Sequence, residues 1–283
     1  MKDNKRTVEL VVISDVHLGT YGCRADDLLR YLKTIKPKKL ILNGDIIDMW
    51  QFSKRYWPAT HMQIVKHVTS LLSKGTEVVY ITGNHDEMLR KFVGFKLGGF
   101  SIENKVVLEL DGRKAWIFHG DVFDVTMQYS KWLAKLGAIG YDSLILLNAL
   151  VNFILKLAGK EKISLSKKVK DGVKKAVKFI DDFEQTAADI AISNHYDFVV
   201  CGHIHQPQVK RITNDKGAVT YLNSGDWVEN LTALEYNDKQ WSLYQFANDP
   251  KARSIKFSKK NNKGMSTDDI FRDMVNEFLM VKQ

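Results

Sequence analysis

Short apolar runs, each ending in a polar, glycine-containing turn, recur along the chain. Val8 to Ile13 leads into Ser14-Asp15-Val16-His17, and Leu40 to Leu42 into Asn43-Gly44-Asp45. Val78 to Ile81 leads into Thr82-Gly83-Asn84-His85-Asp86, Trp116 to Phe118 into His119-Gly120-Asp121, and Phe198 to Val200 into Cys201-Gly202-His203. Such runs read as buried strands. Helix-like stretches over Asp26 to Ile35 and Thr60 to Ser73 separate the early ones. This β-α-β alternation predicts an α/β fold with at least part of its sheet parallel. Later strands crowd together near Val106 to Leu110, Val219 to Leu222, Ala233 to Tyr236 and Trp241 to Tyr244. They suggest a second, more antiparallel sheet. The expected architecture over residues 1–250 is a sandwich of two mixed β-sheets flanked by helices.

Residues 122–193 break the rhythm. Val169, Val173, Val177 and Ile180 recur at helical spacing, with Lys167, Lys168, Lys170, Lys174, Lys175 and Lys178 on the remaining faces. The segment reads as a helical cap inserted into the sandwich. Residues 251–283 read as a basic linker to Gly264, then an amphipathic helix starting at Ser266 or Thr267 and carrying Ile270, Phe271, Met274, Phe278 and Leu279.

Composition narrows the function classes. An apolar fraction of 45% suits a globular chain. Cys23 and Cys201 stand far apart and make no disulfide framework, which fits a reducing compartment. The N-terminus is charged from its second residue, unlike a signal peptide. The most apolar stretch, Leu144 to Leu157, is interrupted by Asn148, Asn152 and Lys156 and falls short of the ~20 residues of a spanning helix. A cytoplasmic protein is expected, able to lie at the cytoplasmic face of an inner membrane. The net charge of +9 is concentrated between Lys131 and Ile180, where eleven lysines face only Asp142, Glu161 and Asp171. Its expected partner is an anionic substrate or membrane surface. The lysine-rich helix lacks interleaved aromatics for stacking bases, so no nucleic acid is expected.

Each strand end carries groups able to ligate a metal. Asp15 and His17 are two apart, so both side chains leave one side of an extended segment, and His203 and His205 repeat the spacing. Asp45, Asn84 and His119 each adjoin a glycine. In open α/β sheets, sites assemble at the carboxyl ends of strands. Any one piece alone is more often a turn or a capping residue. Five in order, each after an apolar run, are not explained that way. Seven nitrogen and oxygen donors without a thiolate suit two divalent ions, Mn²⁺ first, with Fe or Zn²⁺ as alternatives. His61, His67 and His195 stand outside this set, the first two as helix residues, and Cys201 reads as a small buried side chain.

Asp15-x-His17, Gly44-Asp45-x-x-Asp48, Gly83-Asn84-His85-Asp86, His119-Gly120-Asp121 and Gly202-His203-x-His205 together resemble the five signature motifs of the calcineurin-like metallophosphoesterase superfamily. The resemblance implies that Asp15, His17, Asp45 and His205 hold one metal, with Asp45 bridging, and that Asn84, His119 and His203 complete the other. It implies that His85 protonates the leaving oxygen or stabilises the developing charge, with Asp86 orienting its ring. Asp48 and Asp121 are expected to hold ligand histidines or waters in place, and Asn223 to Trp227 to support the site.

The position and composition of the cap resemble the UDP-2,3-diacylglucosamine pyrophosphatase branch. That implies cleavage of a lipid-linked nucleotide to UMP and a lipid phosphate. Asp124, Tyr129, Ser166 and Lys167 lie where cap contacts to the head group are expected. The typical enzymes of that branch have Arg where this chain has His85, which fits a sister group. The alternatives are a soluble phosphodiesterase or phosphatase acting on nucleotides, cyclic nucleotides or phosphoproteins, a nuclease, and a metal-dependent scaffold or membrane-docking protein that keeps the ligands without needing His85.

Overall fold

A computed structural model describes residues 5–50, 56–123 and 180–257. The strand–turn pattern becomes twelve strands in two mixed sheets among these residues. In chain order they are β1 (Arg6–Ile13), β2 (Ile35–Asn43), β3 (Glu77–Ile81), β4 (Lys96–Leu97), β5 (Phe100–Glu103), β6 (Lys105–Leu110), β7 (Arg113–Phe118), β8 (Phe198–Cys201), β9 (Gln208–Asn214), β10 (Gly217–Asn223), β11 (Thr232–Asn237) and β12 (Gln240–Gln245). The helices are α1 (Ala25–Thr34), α2 (Ala59–Ser73), α3 (180–193) and α4 (Pro250–Ser254).

One sheet runs β12-β11-β1-β2-β3-β5-β4, the other β6-β7-β8-β10-β9. Strands β1, β2, β3 and β5 pair in parallel, as do β7, β8 and β10, while the outer strands pair antiparallel. The central strands are apolar on both faces because both faces are covered. Leu10, Val12, Ile41, Val79, Ile81 and Leu234 meet Ala115, Ile117, Phe198, Val200 and Leu222 of the second sheet. Val11, Ile13, Leu40, Leu42, Val78 and Tyr80 point the other way, onto Leu28, Leu29 and Leu32 of α1 and Ile64 and Leu71 of α2. The expected sandwich of two mixed sheets flanked by helices is what the chain forms.

Three local features differ from the sequence reading. Strand β2 starts at Ile35, not near Leu40, directly after α1. Pro37 sits in register with Val8 of β1, before the pairing with β3 begins at Lys39, so its missing N–H interrupts no ladder on that side. The start of the expected basic linker is the docked helix α4. Asp249 caps it by accepting the Ala252 amide (2.9 Å), and Ala252 is fully buried. Strands β4, β5 and β9 carry no apolar run to mark them, being short or having polar residues at alternate positions.

The chain divides into two compact units, Met1–Asp121 with Ala188–Gln283, and Val122–Ala187. Of the expected 122–193 insertion, residues 180–193 are helical; the valine stripe, Asp124, Tyr129, Ser166, Lys167 and the helix expected after Ser266 lie outside the described residues. No helix among the described residues is long and apolar enough to cross a membrane.

The α1–α2 contact contains a titratable group. His67 on α2 donates its Nε2–H to the Leu32 carbonyl (3.2 Å). Burial, with Lys5, Lys33 and Lys74 nearby, lowers its pKa from 6.5 to about 4 against the opposing effect of that hydrogen bond. The unfolded chain therefore binds more protons between these values, and stability falls as pH drops from 6.5 to 4. Replacing His67 with Gln is expected to flatten this part of the Tm–pH curve relative to wild type. Parallel curves would refute it.

Candidate metal centre

The loops after β1, β2, β3, β7 and β8 converge and bond directly to one another. The Asp15 amide donates to the Gly44 carbonyl (3.1 Å), the His17 amide to the Asp45 carbonyl (3.0 Å), and the Gly202 amide to the His119 carbonyl (2.9 Å). Side chains take part: Asp15 Oδ2 accepts the His203 amide (3.0 Å), and Asp45 Oδ1 accepts the His85 amide (2.8 Å). The backbone is tightly wound there. Asp15, His17, Asp45, His203 and His205 all have left-handed φ, from 52° to 67°. That conformation costs roughly 1–2 kcal/mol per residue, least for Asn, Asp and His, and tends to persist where surrounding bonds over-determine it. At Gly83 a methyl group would overlap the Asp45 carboxylate and the His119 ring, and at Gly44 it would overlap the same ring. These two glycines let the three loops close onto each other.

The enclosed side chains form two acid–histidine groups. Asp15, His17 and His205 bring ligand atoms within 4.8 Å of one another, and so do Asp45, His119 and His203. His205 Nε2 lies 3.1 Å from Asp15 Oδ1, and His119 Nε2 lies 3.3 Å from Asp45 Oδ2. Both pairs are close without being aligned as hydrogen bonds. Asp15 Oδ1, His17 Nε2, Asn84 Oδ1 and His119 Nε2 are buried with no hydrogen-bond partner. Buried polar atoms are almost always satisfied, and four orphans on candidate ligands need a reason.

The imidazole tautomers point to that reason. His119 Nδ1–H donates to the Asn43 carbonyl (2.8 Å), which leaves the Nε2 lone pair as the free ligand atom. His17 Nδ1 lies 3.3 Å from Asp48 Oδ2, leaving its Nε2 in the same position. Anchoring one ring nitrogen so that the other presents a lone pair is how proteins aim histidines at metals.

The charges are arranged accordingly. Burial disfavours the charged forms, yet Asp45 and Asp15 raise His119 well above the ordinary histidine value, and Asp15, with Asp226 and Asp45, raises His205 to about 9. Reciprocally, His205, His119 and His17 outweigh burial and depress Asp15 far below the usual carboxylate range, while His119 brings Asp45 to about 2. The net field of these carboxylates favours cations.

The expected supporting roles need correction. Asp86 does not orient His85. It is buried behind the loop, where Oδ1 accepts the Gly83 amide (2.6 Å) and Oδ2 accepts the Ile46 amide (2.9 Å) and the Tyr80 hydroxyl (2.6 Å). It ties the β2 and β3 loops together. Asp48 holds the ring instead: its Oδ2 takes the Nδ1–H of His85 at 2.9 Å and lies against His17 as well. His17, Asp48 and His85 thus form a hydrogen-bonded cluster rather than a third ligand group, since that oxygen is already engaged by ring nitrogens. Asp121 pairs with Arg90, and the Asn43 carbonyl holds the ligand histidine His119.

Asn223 to Trp227 do support the site. The Asn223 side-chain amide donates to the Gly202 carbonyl (2.8 Å), Ser224 Oγ bonds Ser14 Oγ (2.6 Å), and the Trp227 amide donates to the Asp15 carbonyl (3.0 Å). Asp226, within that stretch, lies 3.9 Å from His205 Nδ1, and a second neighbour absent from the sequence expectations is Trp50, whose half-exposed ring lies 4.3 Å from that of His85. A tryptophan two residues after Asp48 in a polar loop was the available signal for the second. As expected, His61 and His67 lie in helix α2 and Cys201 is buried in β8.

A family model described as calcineurin-like phosphoesterase matches residues 8–207. The chain is 26% identical over 244 residues to the UDP-2,3-diacylglucosamine hydrolase of Aliivibrio fischeri (strain MJ11), covering 83% of this chain and 98% of that protein. The protein of the same name from Blochmanniella pennsylvanica (strain BPEN) is 27% identical over 241 residues, covering 82% and 93%. Among solved structures, an archaeal phosphodiesterase aligns over 83% of this chain and 98% of its own, at 14% identity and a TM-score of 0.41. The family match runs from β1 through the loop of His203 and His205, and on that span the chain belongs to the calcineurin-like phosphoesterase family of hydrolases.

Proposed function

We propose that the chain is a dinuclear metal-dependent phosphoesterase that cleaves the pyrophosphate bond of UDP-2,3-diacylglucosamine or a similar lipid-linked nucleotide. The observation that carries the metal reading is the set of four buried, unsatisfied atoms on Asp15, His17, Asn84 and His119. Asp15, His17, Asp45 and His205 would hold one ion, and Asn84, His119 and His203 the second, with Asp45 shared. Imidazole, carboxylate and amide donors without thiolate suit Mn²⁺. When bound, such ions neutralise phosphoryl charge and lower the pKa of a water.

The remaining work falls to the chain. Asp48 fixes the Nδ1–H of His85, so Nε2 is the nitrogen left to exchange a proton with the leaving oxygen. Water is added across the P–O–P bond and two phosphates leave, one on UMP and one on the lipid. Trp50 beside His85 presents an apolar wall at the site's exposed side. The substrate assignment is supported by the relatives' name and by alignments that span 98% and 93% of those proteins and 83% and 82% of this chain. The 122–193 segment is proposed as the cap that selects it, with Asp124, Tyr129, Ser166 and Lys167 as head-group contacts.

UMP release from UDP-2,3-diacylglucosamine in detergent, with Mn²⁺ added, is the expected result. No UMP, together with turnover of cyclic nucleotides, would replace this substrate with a soluble one.

A further inference from the structure

The segment after Asp86 keeps its apolar side chains outside the fold. Met88, Phe92, Val93, Phe95 and Leu97 are 60%, 56%, 36%, 47% and 51% exposed, and every residue from Arg90 to Gly99 is exposed. The backbone beneath them is fixed. Glu87–Phe92 form a 3-10 helix, and Lys96 and Leu97 pair with β5 at the sheet edge. The Gly94 amide donates to the Ile102 carbonyl (2.8 Å), and the Ile102 amide donates to the Phe95 carbonyl (3.1 Å). A tethered ridge therefore presents five large apolar groups that the described residues leave exposed. Contiguous exposure of this kind marks an interaction surface.

The charge pattern selects the partner. Lys91 and Lys96 bracket Phe92, Val93 and Phe95, and neither forms an ion pair among the described residues. Arg90 is already paired with Asp121. An apolar tip between two free ammonium groups matches the boundary of an anionic bilayer, where hydrocarbon lies beneath a negative head-group layer. Lysine stems lie along the apolar surface while their heads reach the phosphates. Exposure also runs through ten consecutive residues.

We propose that the Met88–Leu97 ridge is a membrane-docking surface, inserting Phe92, Val93 and Phe95 into an anionic bilayer beside the loop that carries His85. It lies outside the lysine-rich 131–180 segment to which the sequence assigned the anionic surface.

Sedimentation of the full chain with vesicles of phosphatidylcholine and phosphatidylglycerol, or of phosphatidylcholine alone, tests the proposal. Wild type is expected to bind the anionic vesicles more tightly. The F92S/F95S pair is expected to lower that affinity by roughly tenfold or more, and K91Q or K96Q by about fivefold each. Hydrolysis of a water-soluble chromogenic phosphodiester should be unchanged in all three. Equal binding by wild type and F92S/F95S, or no wild-type binding to anionic vesicles, overturns the proposal. So does a dimer in gel filtration that the serine pair abolishes, which would assign the ridge to a second copy. The assay contains no lipid substrate, so its failure leaves the proposed reaction standing, and failure to release UMP leaves this surface standing.

Discussion

Replacing Asp45 with alanine is expected to abolish hydrolysis of any phosphodiester, including a generic chromogenic one. The loss should reach roughly three orders of magnitude or more in kcat/KM, about 4 kcal/mol of transition-state stabilisation. Asp45 faces His119 at 3.3 Å, accepts the His85 amide at 2.8 Å, and occupies a left-handed position between the β1 and β3 loops. Metal content measured by elemental analysis should fall with activity. Because Asp45 also braces a loop, Asn84→Ala serves as the second variant: its Oδ1 makes no hydrogen bond that removal would break. Full activity in either variant, with the fold intact by circular dichroism, would sink the two-metal reading.

The His85→Ala exchange should separate chemistry from metal binding. His85 is held through Nδ1 by Asp48 and lies edge-on to His17, with ring centres 4.6 Å apart. General acid catalysis contributes about 10²- to 10⁴-fold, so kcat should drop within that range while bound metal stays at the wild-type level. The effect should be largest with a poor leaving group and small with a nitrophenolate, which departs without a proton. Replacing Asp48 with Asn should reproduce part of it, roughly 10- to 100-fold, because the same oxygen also aligns His17. A scaffold that keeps its ligands without catalysis would show no change in either variant, since there is no rate to lose.

The two acids flanking the His85 loop show where reading by sequence stopped. Asp86 is adjacent to His85, and adjacency suggested a partner for its ring. In the folded chain Asp86 turns under the loop to the Gly83 and Ile46 amides, and Asp48, far away in the chain, takes the ring. Neighbouring residues in a tight turn diverge, so chain proximity does not predict which carboxylate meets which imidazole. His119 gives the same lesson: it is held by the backbone carbonyl of Asn43, which no side-chain pattern can announce. The docked α4 turn was also hidden. Lys251 and Arg253 make the segment look like a linker, while the small Ala252 carries the packing.

What the linear chain determined by itself was local and periodic. Apolar runs covered on both faces specified the central strands, and the glycine-flanked Asp, Asn and His residues after them specified which side chains stand at the strand ends. These depend on two-residue alternation and on the few residue types that accept a left-handed backbone, both written in adjacent positions. The tertiary structure decided the rest: the order of strands in two sheets, the ring nitrogen each histidine presents, the acid that holds His85, and the exposure of the Met88–Leu97 ridge. Those outcomes depend on hydrogen bonds and burial between segments distant in the chain. The energy of such contacts exists only once the sheets have brought the loops together.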